Sequence, residues 1–286
     1  MSTNTREAQQ LITPQVTSDG AGVRLMRSIA TQTLDYLDPF LLFDHFGSAD
    51  AEDYIAGFPM HPHRGIETVT YMLAGEINHR DSIGNAGTIG PGDIQWMTAG
   101  RGILHEEMPK TRQGRMEGFQ LWVNLPARDK MMAPRYRDVL MDQVPVVERD
   151  GGGTIRVVAG EVDGVRGPVQ DVIVDPTYLD ITLPANTSFS HPTPSGHTVF
   201  AYVFEGQAGF GQFTNGAAAN PTAPQLVVFG DGEQIQVRTQ TRPARFLLVM
   251  GQPLGEPIAR YGPFVMNTWE EIQQTLREIR AGTFAK

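Results

Sequence analysis

The sequence predicts an all-β protein: two β-barrels related by duplication, with one helix near the C-terminal end. Three observations carry this. Gly and Pro recur throughout, 31 and 20 in 286 residues, and the stretches between them are short and rich in Val, Ile, Phe, Tyr and Thr. A weak internal repeat links the two halves. One stretch only carries a clear set of helix signals.

The strand stretches are 68–73, 118–125, 154–159, 179–183, 199–204 and 245–250. Explicit turns separate them at 82–87, 90–93, 205–209 and 230–232. Short strands at regular spacing favour a sandwich or barrel over βαβ units. In the repeat, 67–76 lies over 197–207, and each copy is followed by a glycine-punctuated strand and then by Gly90-Pro91-Gly92-Asp93 or Gly230-Asp231-Gly232-Glu233. A repeat of this length suggests a duplicated barrel rather than a solenoid. Strand patterning gives way between Pro126 and Pro145 to the polar, Met-rich segment 127–134, so the expected domains are 1–136 and 137–286. In the helix, Thr268 and Glu271 form a capping box, Trp269, Ile272, Leu276 and Ile279 make one apolar stripe, and Gly282 supplies the stop. Such a helix should pack on a sheet.

The formal net charge is −9, which argues against a phosphate-binding surface and hence against direct nucleic-acid binding. Arg64, Arg80, Arg101, Arg115 and Arg166 are scattered singly, as on a solvated face. Small molecules or proteins are the expected partners. With no cysteine, disulfides and thiolate ligands are excluded, and any metal site must be built from imidazole and carboxylate. That donor set suits Fe(II), Mn, Ni or Zn rather than Cu(I) or an iron–sulfur cluster. The leading residues Met1–Arg6 lack the apolar core of a signal peptide and no stretch approaches a membrane span, so the expected location is the cytoplasm.

The chemistry concentrates in Phe58-Pro59-Met60-His61-Pro62-His63-Arg64-Gly65-Ile66-Glu67 and in Gly102-Ile103-Leu104-His105-Glu106-Glu107-Met108-Pro109. Residues two apart on a strand share a face, so His61 and His63 project together, and His105 and Glu107 do the same from a neighbouring strand. Glu67 has the parity of His61 and His63 and joins them if the strand stays regular through Gly65. Three imidazoles and a carboxylate leave open positions on an octahedral metal, as in many non-haem Fe(II) oxygenases. A single histidine in a β-protein is more often structural, and His45, His79, His191 and His197 are read that way. Met60, Met97 and Met108 read as barrel lining or pocket wall.

His61-x-His63-xxx-Glu67 followed by Pro91-Gly92-Asp93 and Gly102-x-x-His105 is similar to the two motifs of the cupin superfamily. More narrowly, Leu37 to Asp44, His61 to Gly65, Pro91 to Gly102 and Tyr261 to Thr268 resemble pirin signatures. The resemblance implies two double-stranded β-helix (cupin) barrels facing each other, closed by the C-terminal helix. It implies one metal per chain in the N-terminal barrel, usually iron, with His61, His63, His105 and Glu107 as ligands. Fe(II) is the expected ion, with Mn, Ni, Zn or Cu as alternatives. Glu67 then becomes a supporting carboxylate and Glu106 points away. The second barrel departs from the pattern: His191 and His197 are six apart, and no histidine follows, so it is expected to be metal-free.

The resemblance carries two readings of function. One is a quercetin 2,3-dioxygenase-like enzyme that opens flavonol rings with O2, Glu107 acting as catalytic base on the 3-hydroxyl and Phe58, Met60 and Met97 lining a flat aromatic pocket. The other is a non-catalytic iron-binding regulator that docks onto a transcription factor or a metabolic enzyme. A blander third is a cupin isomerase or storage-type protein with a vestigial site.

Overall fold

The glycine and proline punctuation resolves into short antiparallel strands. The computed structural model describes residues 4–285, so the first three residues of the leading segment lie outside it. The chain sorts into two compact units, one from residues 15–141 with 254–285, the other from 4–14 with 142–253. A cut at 136/137 therefore leaves two segments to reassign. The strand Ala8–Ile12 pairs with Gln225–Phe229, and the C-terminal hairpin and helix belong with the 15–141 unit.

Residues 15–141 form two sheets of this unit. The larger runs in the order Arg135–Val139, Ile94–Thr98, Ile66–Ala74, Met116–Asn124, Phe40–Ser48, Val23–Ile29, Gln15–Asp19. The smaller runs Phe58–His63, Ile103–Pro109, Ile77–Asp81, Ala86–Ile89. Along Met116–Asn124 the pleat puts Phe119, Leu121 and Val123 on one face, all essentially inaccessible, and Gln120 and Trp122 on the other. In the middle strand Ile66–Ala74, both faces are buried from Ile66 to Met72. Val23, Leu25, Phe46, Tyr54, Met72 and Ile77 form one apolar cluster of the barrel.

The 142–253 unit repeats this plan. Its seven-stranded sheet runs Ala8–Ile12, Gln225–Phe229, Thr198–Gly206, Ala244–Gly251, Thr177–Leu183, Thr154–Ala159, Val146–Glu148, with Ser188–Pro192 paired to Gln234–Arg238 beside it. The duplication read from the sequence has a topological basis. Ile66–Ala74 lies between Ile94–Thr98 and Met116–Asn124, and Thr198–Gly206 lies in the matching place between Gln225–Phe229 and Ala244–Gly251. Its core is aliphatic and aromatic, with Phe200, Phe246, Leu248 and Val249 fully buried.

The one α-helix among the described residues, Trp269–Ala281, begins with the expected capping box between Thr268 and Glu271 and ends at Gly282, whose φ is 66°. It packs on the hairpin Ala259–Tyr261/Phe264–Met266 through Ile272 and Leu276, beside Phe264, Met266 and Phe284. The apolar stripe is narrower than expected. Trp269 is 58% exposed and Ile279 37% exposed, because strands of three residues cover only the middle of a helix of 13. Thr275, fully buried, completes the covered face.

Candidate metal centre

Phe58–His63 is the edge strand of the smaller sheet, which is why it tolerates Pro59 and Pro62. It pairs antiparallel with Ile103–Pro109, and this register sets His61 directly opposite His105. His63, two residues along, joins them. Ring centroids lie 4.4 Å apart for His61 and His105, 4.8 Å for His61 and His63, and 5.0 Å for His63 and His105. One nitrogen from each ring falls within 4.8 Å of the others, the one such cluster of His, Asp and Glu donors among the described residues.

The protonation of these rings suits a cation. His61 Nδ1 donates to the Pro59 carbonyl at 2.8 Å, which leaves the lone pair on Nε2, 2.9 Å from His63 Nε2. Burial pushes His63 and His105 well below the ordinary histidine range, and the neighbouring imidazoles push the same way. Both are therefore neutral near pH 7. Neither ring nitrogen of His105 finds a hydrogen-bond partner, although the residue is 1% exposed. A buried lone pair without a donor is costly, and three converging imidazoles are the donor set of a divalent transition metal. The residues present fit the ion the sequence implies.

Glu107 follows His105 on the same strand, past a register shift that sets it opposite Phe58. It is buried and lines the same cavity. Its carboxylate is turned onto Thr70, Oε1 to Oγ1 at 2.8 Å, and lies outside the 4.8 Å imidazole cluster. Burial raises its carboxyl above the usual range, opposed by the Thr70 bond and by His61 and His79. Thr70 Oγ1 also sits 2.9 Å from Gln120 Oε1. A hydroxyl has one proton, so Thr70 donates to the Glu107 carboxylate or to the Gln120 amide oxygen, one at a time. Register alone lines up this polar row: Gln95, Thr70, Gln120, Asp44 and Arg27 stand side by side on successive strands.

His61, His63 and Glu107 meet Gln120, Asp44 and Arg27 of this row in a cavity of about 580 Å³, within the range of small-molecule sites. Leu25, Leu42, Phe46, Phe58 and Trp122 make its apolar wall. The Trp122 ring meets His63 edge-on at 5.1 Å. Asp19, Arg27, Asp44 and Arg260 make the polar wall. Burial lifts the Asp44 carboxyl to about 6 against the pull of the Arg27 guanidinium, which grips it at 2.8 and 2.7 Å. Phe58 lines the cavity as expected, but Met60 and Met97 do not. Met60 is 43% exposed, and Met97 packs in a separate cluster with Leu41, Ile66 and Val265.

Glu67 is separated from the histidines by the fold. Gly65, at φ 78°, breaks the strand, and Ile66–Ala74 belongs to the other sheet, so parity does not carry across. Glu67 is buried and accepts from Thr98 Oγ1 at 2.6 Å and Trp96 Nε1 at 3.2 Å. Glu106 points away and pairs with Arg80. His45 meets Glu117 at 3.1 Å and His79 meets Asp138 at 3.0 Å. Arg64 is not on a solvated face: it is 3% exposed. In the 142–253 unit, Ile235 stands opposite His191 across the ladder, where the first unit has His105 opposite His61. Sequence reasoning missed Thr70, Gln120 and Trp122. The signal was a polar residue and a tryptophan on one parity of strands that are otherwise aliphatic.

Comparison with known proteins places this architecture. Residues 22–123 match the family model described as Pirin, and residues 178–285 the one described as Pirin C-terminal cupin domain. A pirin-like protein of Caulobacter vibrioides is 46% identical over 280 residues, covering 98% of this chain and 99% of that protein. Human pirin is 42% identical over 266 residues, 92% of this chain and 88% of its own length. A crystal structure of quercetin 2,3-dioxygenase from Acinetobacter baumannii superposes with a TM-score of 0.88 at 32% identity, covering 99% of both chains. The fold is that of two cupin barrels with a C-terminal helix, and the chain belongs to the pirin family.

Proposed function

We propose that His61, His63, His105 and Glu107 hold one divalent metal ion, Fe(II), and that the protein opens flavonols such as quercetin oxidatively with O2. The observation that carries this reading is the convergence of three imidazoles beside an aromatic-walled cavity. The likeness to a quercetin 2,3-dioxygenase supports it. The metal, when bound, supplies a Lewis acid and a redox partner for substrate and O2.

The chain's own residues do the rest. The Pro59 carbonyl fixes the His61 tautomer, and burial keeps His63 and His105 unprotonated. Trp122 and Phe58 offer flat faces to a planar ring system and exclude water from it. Glu107, its carboxyl raised by burial, is the general base for an acidic hydroxyl: it takes the proton and hands a hydrogen bond to Thr70, which passes one to Gln120. That exchange needs no movement of the backbone.

The test is metal analysis of the purified protein followed by an aerobic assay of iron-loaded protein on quercetin. One metal per chain is expected, lost in His63→Ala. Glu107→Gln should retain the fold and lose rate by about a hundredfold or more. Iron-loaded wild type as inert as Glu107→Gln would sink the enzymatic reading.

A further inference from the structure

The polar wall of the cavity holds a cation that this reaction leaves unused. Arg260, half-buried on the Ala259–Tyr261 strand, places its guanidinium carbon 5.1 Å from the centre of the Trp122 ring. Nη1 donates to the Leu41 carbonyl at 3.2 Å, and Nε reaches the Gly262 carbonyl at 3.4 Å. Among the described residues it forms no ion pair. The contrast with Arg27 is sharp. That guanidinium is bonded twice to Asp44 and once to Asp19, which occupies both carboxylates of the wall. Asp35, exposed, and the engaged Asp44 and Asp19 act on Arg260 only through space, and Arg27 beside it repels.

A guanidinium partly withdrawn from water keeps its charge and asks for an anion. Its planar fork fits two oxygens of one group better than the two single carbonyls it now has. The charges of the wall also point this way. Asp19 and Asp44 balance Arg27 and Arg260, so a divalent ion held with one carboxylate leaves the cavity positive.

We propose that Arg260 is a specificity-determining residue that selects planar aromatic ligands bearing an anionic oxygen, a carboxylate or an ionised phenol. The fork takes the anionic oxygen, and the aromatic ring lies by Trp122. This rests on the reading of the cavity as the substrate site and is independent of whether the substrate is oxidised there.

Binding by calorimetry separates the two. The probes are 2-naphthoate, its neutral isostere 2-naphthamide, and 2-naphthol below and above its ionisation, each titrated into zinc-loaded protein, which turns nothing over. Wild type should bind naphthoate, or naphthol once ionised, about tenfold more tightly than the neutral probes, the size of one charge-assisted hydrogen bond. Arg260→Gln should bind charged and neutral probes alike, and Arg260→Lys should restore part of the preference, which a merely structural role would not do. Which anion gains shows which group the fork takes. A preference that survives in Arg260→Gln, because the metal or Arg27 holds the anion, overturns the proposal. So does a wild type that shows none. If the preference holds while iron-loaded protein leaves quercetin untouched, the dioxygenase reading falls and this one stands.

Discussion

Arg64 Nη2 donates to Glu278 Oε2 at 2.6 Å, and Arg64 Nη1 to Thr275 Oγ1 at 2.9 Å, so the residue after His63 is fixed to the C-terminal helix. The Phe284 ring lies 4.6 Å from the same guanidinium. The helix is thereby a brace for the strand end that presents His63. Arg64→Ala leaves Glu278 without this partner and opens a void, and should cost about 3 kcal/mol. Glu278, partly solvated, should cost less as Gln. Denaturant unfolding and metal content measure both, and Arg64→Ala with wild-type stability and full metal would refute the bracing role.

Gly65 is the second fixed point. Its φ of 78° suits glycine, and a Cβ built there would lie 2.0 Å from the Val265 carbonyl oxygen. Lys130 Nζ donates to both the Gly65 and Val265 carbonyls at 2.9 Å, which holds the two backbones at this approach. Gly65→Ala should therefore cost about 3 kcal/mol or more. Gly84→Ala, at φ 99° with open space around it, isolates the backbone part of that cost. Calorimetric melting should show a much larger drop for Gly65→Ala; equal drops would remove the steric argument.

Glu117 sets an acid limit for the 15–141 unit. His45 and Arg115 hold its carboxyl down to about 2, from an ordinary 4.5, against the effect of burial. With the folded pKa depressed, its contribution is complete above about pH 4.5 and is lost as pH falls towards 2. Glu117→Gln should flatten the stability–pH curve across that window. An unchanged acid slope would dismiss the assignment.

His191 does the corresponding work in the 142–253 unit, in a higher window. Burial, with Arg149 adding to it, lowers the imidazole from 6.5 to about 4. The folded chain then binds fewer protons than the unfolded one between those values, so stability falls as pH drops from 6.5 through 4. His191→Phe, beside the stacked Phe189, should remove that loss. Near-UV circular dichroism during acid titration reports it, and identical midpoints for the two proteins would count against the argument.

What the sequence by itself determined is what depends on neighbours along the chain. Turn glycines and prolines, the capping box at Thr268 and Glu271, and the parity that joins His61 to His63 are all local, and each stands in the structure. The fourth ligand, the carboxylate, was ambiguous for a local reason too: counting by twos from His63 reaches Glu67 only if Gly65 is extended, and Gly65 has a positive φ. Tertiary structure decided the rest. Antiparallel register placed His105 opposite His61 and Thr70 beside Gln120, and a register shift after His105 turned Glu107 onto Thr70. Long-range packing buried Arg64, which reads as an ordinary surface residue, because its partners Thr275 and Glu278 are more than 200 positions away. A long separation in sequence likewise hid Arg260 beside Trp122. Local patterning says which way a side chain leaves its own strand; only the closed barrel says what meets it there.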